Sequence, residues 1–239
     1  MVFDVNTAGK YDEWYRRPKG KYADTMEKDL FLRLARPLEG QTLLDVGCGT
    51  GHNLEFFRQI GLQASGIDAS EPMLEVASNR FGGETGLSLG RAESLSFEDK
   101  SFDMVTLITV LEFSPDPVAA LREAVRVARE AVYLGVLNKA SLLGATRRAK
   151  GRFRQSIYNQ ARFFTIREIE RMMKRELREY PYTWQSALFL PLSWHRRCHR
   201  LDQLLSFRRN PFGAFLGVCI RTPGFCWTEK WGSRDRQLG

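Results

Sequence analysis

The sequence predicts a doubly wound α/β fold, and three observations carry that prediction. Short, near-continuous apolar runs alternate with helix-like stretches over roughly a hundred residues, the pattern of parallel strands joined by crossover helices. One of these runs, Thr42 to Val46, ends in glycines at alternate positions, Gly47, Gly49 and Gly51, and helix-like sequence from Asn53 to Ile60 follows. The next run, Gln63 to Ile67, closes on an acid, Asp68, seventeen residues beyond Gly51, where nucleotide-binding α/β folds place a ribose acceptor.

Taken in order, the chain opens with aromatics among charges, YDEWYRR, and continues into an amphipathic run from Lys21 to Arg36 in which Tyr22, Met26, Leu30 and Leu34 recur at helical spacing. This predicts a helix on the domain preceded by an arm, with Tyr11, Trp14 and Tyr15 as a lid or as simple packing. The strand at Thr42 then meets the glycine turn, which lets a ligand approach main chain without meeting a Cβ. The spacing is neither the G-x-G-x-x-G of dinucleotide folds nor a P-loop. Asp45, two residues before the first glycine, would repel a phosphate and suits a cation.

That form, LLDVGCGTG, resembles the first motif of class I S-adenosylmethionine-dependent methyltransferases. The resemblance implies a Rossmann-like, seven-stranded, mostly parallel sheet with helices on both faces and a helical cap or insertion. It also implies S-adenosyl-L-methionine as cofactor and S-adenosyl-L-homocysteine as product. Gly47, Cys48, Gly49 and Gly51 then cradle the methionine portion, Asp45 orients its amino group, and Asp68, with Ala69 beside it, holds the ribose. A helix from Ala69 to Arg80 starts at Ser70, and its Met73 faces the adenine or the core. After a third strand, Leu87 to Leu89, GRAESLSF resembles the family's third motif but carries Arg91 where an acceptor often stands. Arginine has no acceptor to offer, which leaves the Ala92 N–H and Glu93 for the adenine.

A fourth strand, Met104 to Val110, is near-continuously apolar, as a parallel strand covered on both faces requires. Its end, Thr109 to Phe113, borders the methyl group, since ligands lie beyond the carboxyl ends of such strands. Many relatives read L-E-H where this chain reads Leu111, Glu112 and Phe113, so a histidine base is absent there. A helix from Val118 to Arg129 and a fifth strand, Ala131 to Leu137, lead to Asn138 at the cleft. Residues 141–160 are basic, and Thr165 with Glu168 three residues on forms a helix-capping box. This stretch resembles the cap of methyltransferases of the ubiquinone- and menaquinone-synthesis type. Arg178 to Thr183 and Ala214 to Arg221 are the expected last two strands, with a helical insertion between them. The divisions are therefore an arm and helix (1–41), a cofactor-binding core (42–138), a substrate cap with the last strands (139–222) and a tail (223–239).

Composition bounds the partners. The net charge of +8 divides as 15 basic against 21 acidic residues up to Asn138 and 21 against 7 from Lys139 on. An anionic partner near the second half is implied: an anionic substrate, an anionic membrane touched peripherally, or, less favoured, nucleic acid. Cys48, Cys198, Cys219 and Cys226 form no C-x-x-C pair or zinc spacing with the three histidines, so no metal is expected. No leader and no apolar run of membrane-spanning length occur, which fits a cytoplasmic protein.

The expected activity is methyl transfer to a small-molecule acceptor, anionic or amphipathic. An RNA-modifying enzyme and a non-catalytic S-adenosylmethionine-binding protein are the alternatives. Tyr11, Asn138, Tyr158 and Arg162 are the substrate-side candidates. The acceptor atom and the oligomeric state are not legible.

Overall fold

The computed structural model describes residues 5–82, 86–141, 161–177, 180–192 and 195–222. Seven strands form one sheet in the order β3-β2-β1-β4-β5-β7-β6. β1 (Thr42–Val46), β2 (Gln63–Asp68), β3 (Leu87–Leu89), β4 (Phe102–Ile108) and β5 (Ala128–Leu137) are parallel, and β7 (Phe215–Arg221) runs antiparallel to β5 and to β6 (Tyr182–Ala187). Two reversals restore direction. The connection from β6 to β7 therefore lies at the same edge as the carboxyl ends of β1 to β5.

Alternation along each strand sends neighbours to opposite faces. Leu43, Met104 and Tyr133 pack beneath α2 (Pro18–Ala35) and α3 (His52–Gln59), while Leu44, Val105 and Val132 pack beneath α5 (Pro117–Val127) and α6 (Ile166–Glu176). α4 (Glu71–Arg80) starts on the Ser70 cap, α5 on Asp116, whose carboxylate accepts from the N–H groups of Val118 and Ala119. α6 carries the expected capping box of Thr165 and Glu168.

Several boundaries differ from expectation, among them β4, which starts at Phe102 and ends at Ile108 rather than Val110 because Thr109 turns to a left-handed φ of +57°. The opening arm is a helix, α1 (Val5–Arg16), folded back onto α2 so closely that a Cβ on Gly20 would stand 1.9 Å from the Trp14 carbonyl oxygen. α5 stops at Val127, because Ala128 already pairs with Phe102 beside a register shift in β4. β6 begins at Tyr182, not Arg178, since its register is dictated by the wholly buried β7, from Tyr182 opposite Ile220 to Ala187 opposite Phe215.

The β6–β7 connection holds α7 (His195–Leu205) with an inverted polarity. Asp202 is buried and accepts from the N–H groups of Phe189 (2.7 Å) and Leu190 (3.0 Å) and from the Tyr22 hydroxyl of α2 (2.7 Å). Leu201 and Leu204 face outward, 50% and 62% exposed. Among the described residues no helix is long and apolar enough to cross a membrane.

Candidate functional site

The turn after β1 is fixed by main chain before any side chain acts. The N–H groups of Gly47 and Cys48 donate to the Ile67 carbonyl at 2.7 and 3.1 Å, which pins the turn to the end of β2. Gly47 and Gly49 take φ of +71° and +54°, in the left-handed region that a Cβ resists. A Cβ on Gly47 would stand 2.5 Å from Val110 Cγ2, whereas one on Gly49 would project into open space. The first glycine thus admits the loop after β4, and the second leaves backbone bare to the cleft.

Two carboxylates flank this turn. Asp68 Oδ2 accepts from the Gly49 N–H (2.8 Å) and Oδ1 from the Ser70 N–H (2.8 Å). Burial raises its pKa above the ordinary carboxylate value although these N–H groups and that of Ala69 pull the other way. Each oxygen keeps a lone pair for a further donor, such as a ribose hydroxyl. Asp45 is 1% exposed; its Oδ1 accepts from the Thr106 hydroxyl at 2.6 Å, and its Oδ2 is buried without a partner. Burial pushes its pKa up to about 7, the Thr106 hydroxyl opposing and the Asp68 charge adding to the rise. An orphaned buried carboxylate oxygen needs an explanation, and a cationic ligand donating to it supplies one. Together the bare turn, Asp45 and Asp68 fit the amino and ribose ends of S-adenosylmethionine.

The remaining expected residues are distributed around this centre. Cys48 is buried, and burial pushes its thiol up, so it fills space as an inert group. Thr109, at the end of β4, holds φ +57° while its N–H donates to the Gly135 carbonyl at 2.7 Å. A β-branched residue in that region costs of order 1–3 kcal/mol, strain of the kind that collects at ligand sites. Met73 is buried in α4 and Ala69 is exposed beside Asp68. Ala92 is half-buried in the loop after β3; Glu93 accepts from the Ser114 hydroxyl at 2.5 Å and pairs with Arg91 at 3.3 Å. Glu112 is buried, its Oε1 accepting from the Leu137 N–H at 2.6 Å and its pKa pushed up by burial to about 8.

The two substrate-side candidates whose side chains are described, Asn138 and Arg162, do not converge. Asn138 spends its side chain on the fold: Nδ2 donates to the carbonyls of Pro211 (2.6 Å) and Gly213 (2.7 Å), and Oδ1 accepts from the Ala140 N–H (2.9 Å). Arg162 is exposed, its guanidinium over the Phe164 ring at 5.1 Å, while its N–H donates to the Glu112 carbonyl. Tyr158 and the side chain of Tyr11 lie outside the described residues.

Two side-chain networks near the turn escaped the sequence reading. Asp12 of α1 accepts from the Thr50 hydroxyl (2.6 Å) and from Arg80 (2.5 Å), so α1 is tied to the glycine turn itself. His52, directly after the turn, donates through Nε2 to Asp24 at 2.8 Å and lies stacked on Tyr15. Beside it a recess of about 10 Å³, room for about one water, lies between α2 and α3, lined by Asp24, Lys28, Asn53, Ile108 and Tyr133 among others. Each pair joins residues far apart in the chain, and no local spacing announces them.

Residues 44–135 match the family model described as a methyltransferase domain. Those residues thus form a methyltransferase domain, with the fold of the class I S-adenosylmethionine-dependent methyltransferases. It is 29% identical over 175 residues to an uncharacterized protein of Methanocaldococcus jannaschii, covering 72% of this chain and 78% of that one. It is 37% identical over 111 residues to a ubiquinone biosynthesis O-methyltransferase of Thiobacillus denitrificans, covering 43% and 47%. The fold of a solved S-adenosylmethionine-dependent methyltransferase from Thermotoga maritima superposes with a TM-score of 0.71 at 23% identity, over 92% of this chain and 98% of that one. The chain spans about half the length of the curated methyltransferases it matches by name. In this methyltransferase the cofactor is S-adenosylmethionine.

Proposed function

We propose that this methyltransferase transfers the methyl group of S-adenosylmethionine to a small-molecule acceptor of amphipathic or anionic character. The observation that carries the reading is the turn from Gly47 to Gly51 with Asp45 on one side and Asp68 on the other, a bare backbone cradle between two acids. The sulfonium supplies the electrophile when the cofactor is bound. The chain's own residues supply position: Gly49 lets the ligand lie against main chain, Asp45 Oδ2 receives the amino group, and Asp68 receives the ribose hydroxyls. Alignment and exclusion of water then account for most of the acceleration.

The acceptor enters at the carboxyl ends of β4 and β5, under the β6–β7 connection. Likeness to ubiquinone biosynthesis O-methyltransferases supports a small molecule over a macromolecule. The outward Leu201 and Leu204 of α7, with exposed Arg200, Arg208 and Arg209 nearby, support peripheral contact with an anionic lipid surface from which such an acceptor is drawn. Buried thiols at Cys48 and Cys219 accord with work in a reducing cytoplasm.

The test is calorimetric titration of the full chain with both cofactor forms, followed by turnover on phenols, quinones, thiols, amines and anionic metabolites. One site of micromolar affinity and methylation of a small molecule is the expected result. Binding without turnover of any of these, or no binding, would overturn it.

A further inference from the structure

We propose that α7 and the turn after it form a docking face for an anionic lipid bilayer, which sets the carboxyl edge of the sheet, where the acceptor enters, toward the membrane. The proposal rests on the methyltransferase reading above and deepens it by assigning the residues that meet the lipid and the route they give the acceptor. Of the six large apolar side chains that stand exposed among the described residues, four lie in the β6–β7 connection: Leu201 (50%), Leu204 (62%), Leu205 (36%) and Phe212 (61%). That connection runs along the edge at which β1 to β5 end, where open α/β sheets bind their ligands.

Contacts on the inner side of the connection hold this face outward. Leu201, Leu204 and Leu205 share one face of α7 by their spacing, while Asp202 and Ser206 are buried on another. Asp202 accepts from the N–H groups of Phe189 and Leu190 and from the Tyr22 hydroxyl of α2. Phe207 packs on the core, with the Arg33 guanidinium of α2 over its ring at 4.3 Å. Its N–H donates to the Ser186 carbonyl of β6 at 2.8 Å, and the Ser186 N–H donates to the Arg208 carbonyl at 3.1 Å. Asn138 Nδ2 grips the carbonyls of Pro211 and Gly213, on either side of Phe212. An acid therefore faces the protein and leucines face outward, the reverse of a helix that lies on its domain in water. A fixed frame presents the apolar groups, so docking does not have to order them first.

Charge selects the partner. From Leu188 to Gly213 the chain carries five arginines, and its one acid is the buried Asp202. Arg200, Arg208 and Arg209 are exposed, and none of the three pairs with a carboxylate among the described residues. A second copy of the chain docked through this face would bring arginines against arginines. A nucleic acid would match the charge, but it would meet a single exposed aromatic among the described residues of the connection, Phe212, and leucines that give bases no stacking platform. An anionic bilayer satisfies both parts: lipid phosphates take the arginines, and the leucines and Phe212 enter the boundary between headgroups and acyl chains. An amphipathic acceptor dissolved in that bilayer then reaches the cleft without first dispersing in water.

The test needs no identified acceptor. Full-length protein is sedimented with vesicles of phosphatidylcholine alone and of phosphatidylcholine mixed with phosphatidylglycerol. We expect binding to the mixed vesicles that weakens as salt is added, and little binding to phosphatidylcholine alone. Leu201→Glu with Leu204→Glu should lower binding to the mixed vesicles about 30-fold, and Arg208→Gln with Arg209→Gln about 10-fold. Both variants should keep the parent circular-dichroism spectrum and S-adenosylhomocysteine affinity. Vesicle binding unchanged in both would place it in another basic stretch and overturn the proposal. A loss confined to the arginine variant would also overturn it, because a face that inserts no leucine is a general polyanion surface. Capture of RNA by a parent protein that leaves the vesicles unbound would decide for nucleic acid instead. Failure of the parent to bind S-adenosylhomocysteine would remove the methyltransferase reading and the acceptor's route, while the vesicle result would still decide the docking face. With an acceptor found by turnover, mixed vesicles should lower the KM of a lipid-soluble form about 10-fold and leave kcat for a water-soluble form unchanged. The same gain in the leucine variant would contradict delivery through this face.

Discussion

The cofactor side of the cleft and the ties around it are built by different means. On the cofactor side, β1, the glycine turn and the end of β2 hold one another through main-chain bonds, and Asp68 is gripped by the N–H groups of Gly49 and Ser70. Around it, the chain is tied by side chains from distant segments: Asp12 to Thr50, Asp24 to His52, Tyr22 to Asp202, Asn138 to Pro211 and Gly213. The first arrangement preserves one ligand geometry whatever the surroundings do. The second can be rewired residue by residue, which lets the surroundings change while the cofactor pocket stays.

The difference can be broken most sharply at Asp68. Asp68→Ala should weaken S-adenosylhomocysteine binding about 100-fold, close to 3 kcal/mol, with the circular-dichroism spectrum unchanged. Unaltered affinity would show that the turn does not use this acid. Away from the turn, Asn138→Ala orphans the buried Gly213 carbonyl and the half-buried Pro211 carbonyl and should cost about 2 kcal/mol in denaturant unfolding while leaving cofactor affinity near the parent value. A parallel loss of cofactor affinity would mean that the two are not independent.

Proton linkage gives a smaller, graded effect. Unfolded carboxyls lose their protons near pH 4, whereas Asp45 and Glu112 keep theirs in the native state to about 7 and about 8. In that window the native state binds more protons, so the stability these groups contribute is complete at low pH and lost as pH rises through the native values. Each group contributes at most about 1.4 kcal/mol per pH unit. Thermal unfolding of the cofactor-free protein should fall in temperature between pH 5 and pH 8, and less steeply in Asp45→Asn. Smallest of all, Asp12→Ala should cost about 1 kcal/mol or less and speed hydrogen exchange in α1 without altering exchange in β1. Equal acceleration in both would join the arm to the core.

The same contrast explains what was legible in the sequence. The strand at Thr42, the glycines and Asp68 were readable because their function is a local spacing, and β1, β2, β3 and the start of α4 fell where apolar runs and the Ser70 cap put them. Asn138 was placed correctly at a strand end, yet its partners Pro211 and Gly213 lie more than seventy residues on, so its use for anchoring was not readable. His52 looked like an ordinary first helical residue, because Asp24 meets it only through the packing of α2 on α3. β6 was displaced by four residues for the same reason: its register belongs to β7. α7 reads as a basic amphipathic helix, and only burial shows that Asp202 points in and Leu204 out.

The central claim is that Asp45 and the glycine turn receive the cationic end of S-adenosylmethionine. Calorimetry of S-adenosylhomocysteine binding at pH 6.5, in two buffers of different ionisation enthalpy, tests it most directly. One site and release of a fraction of a proton are expected, as the ligand's ammonium ionises a carboxyl that burial pushes up to about 7, with the release abolished in Asp45→Asn. Binding with no proton release, or a release unchanged by that substitution, would contradict it.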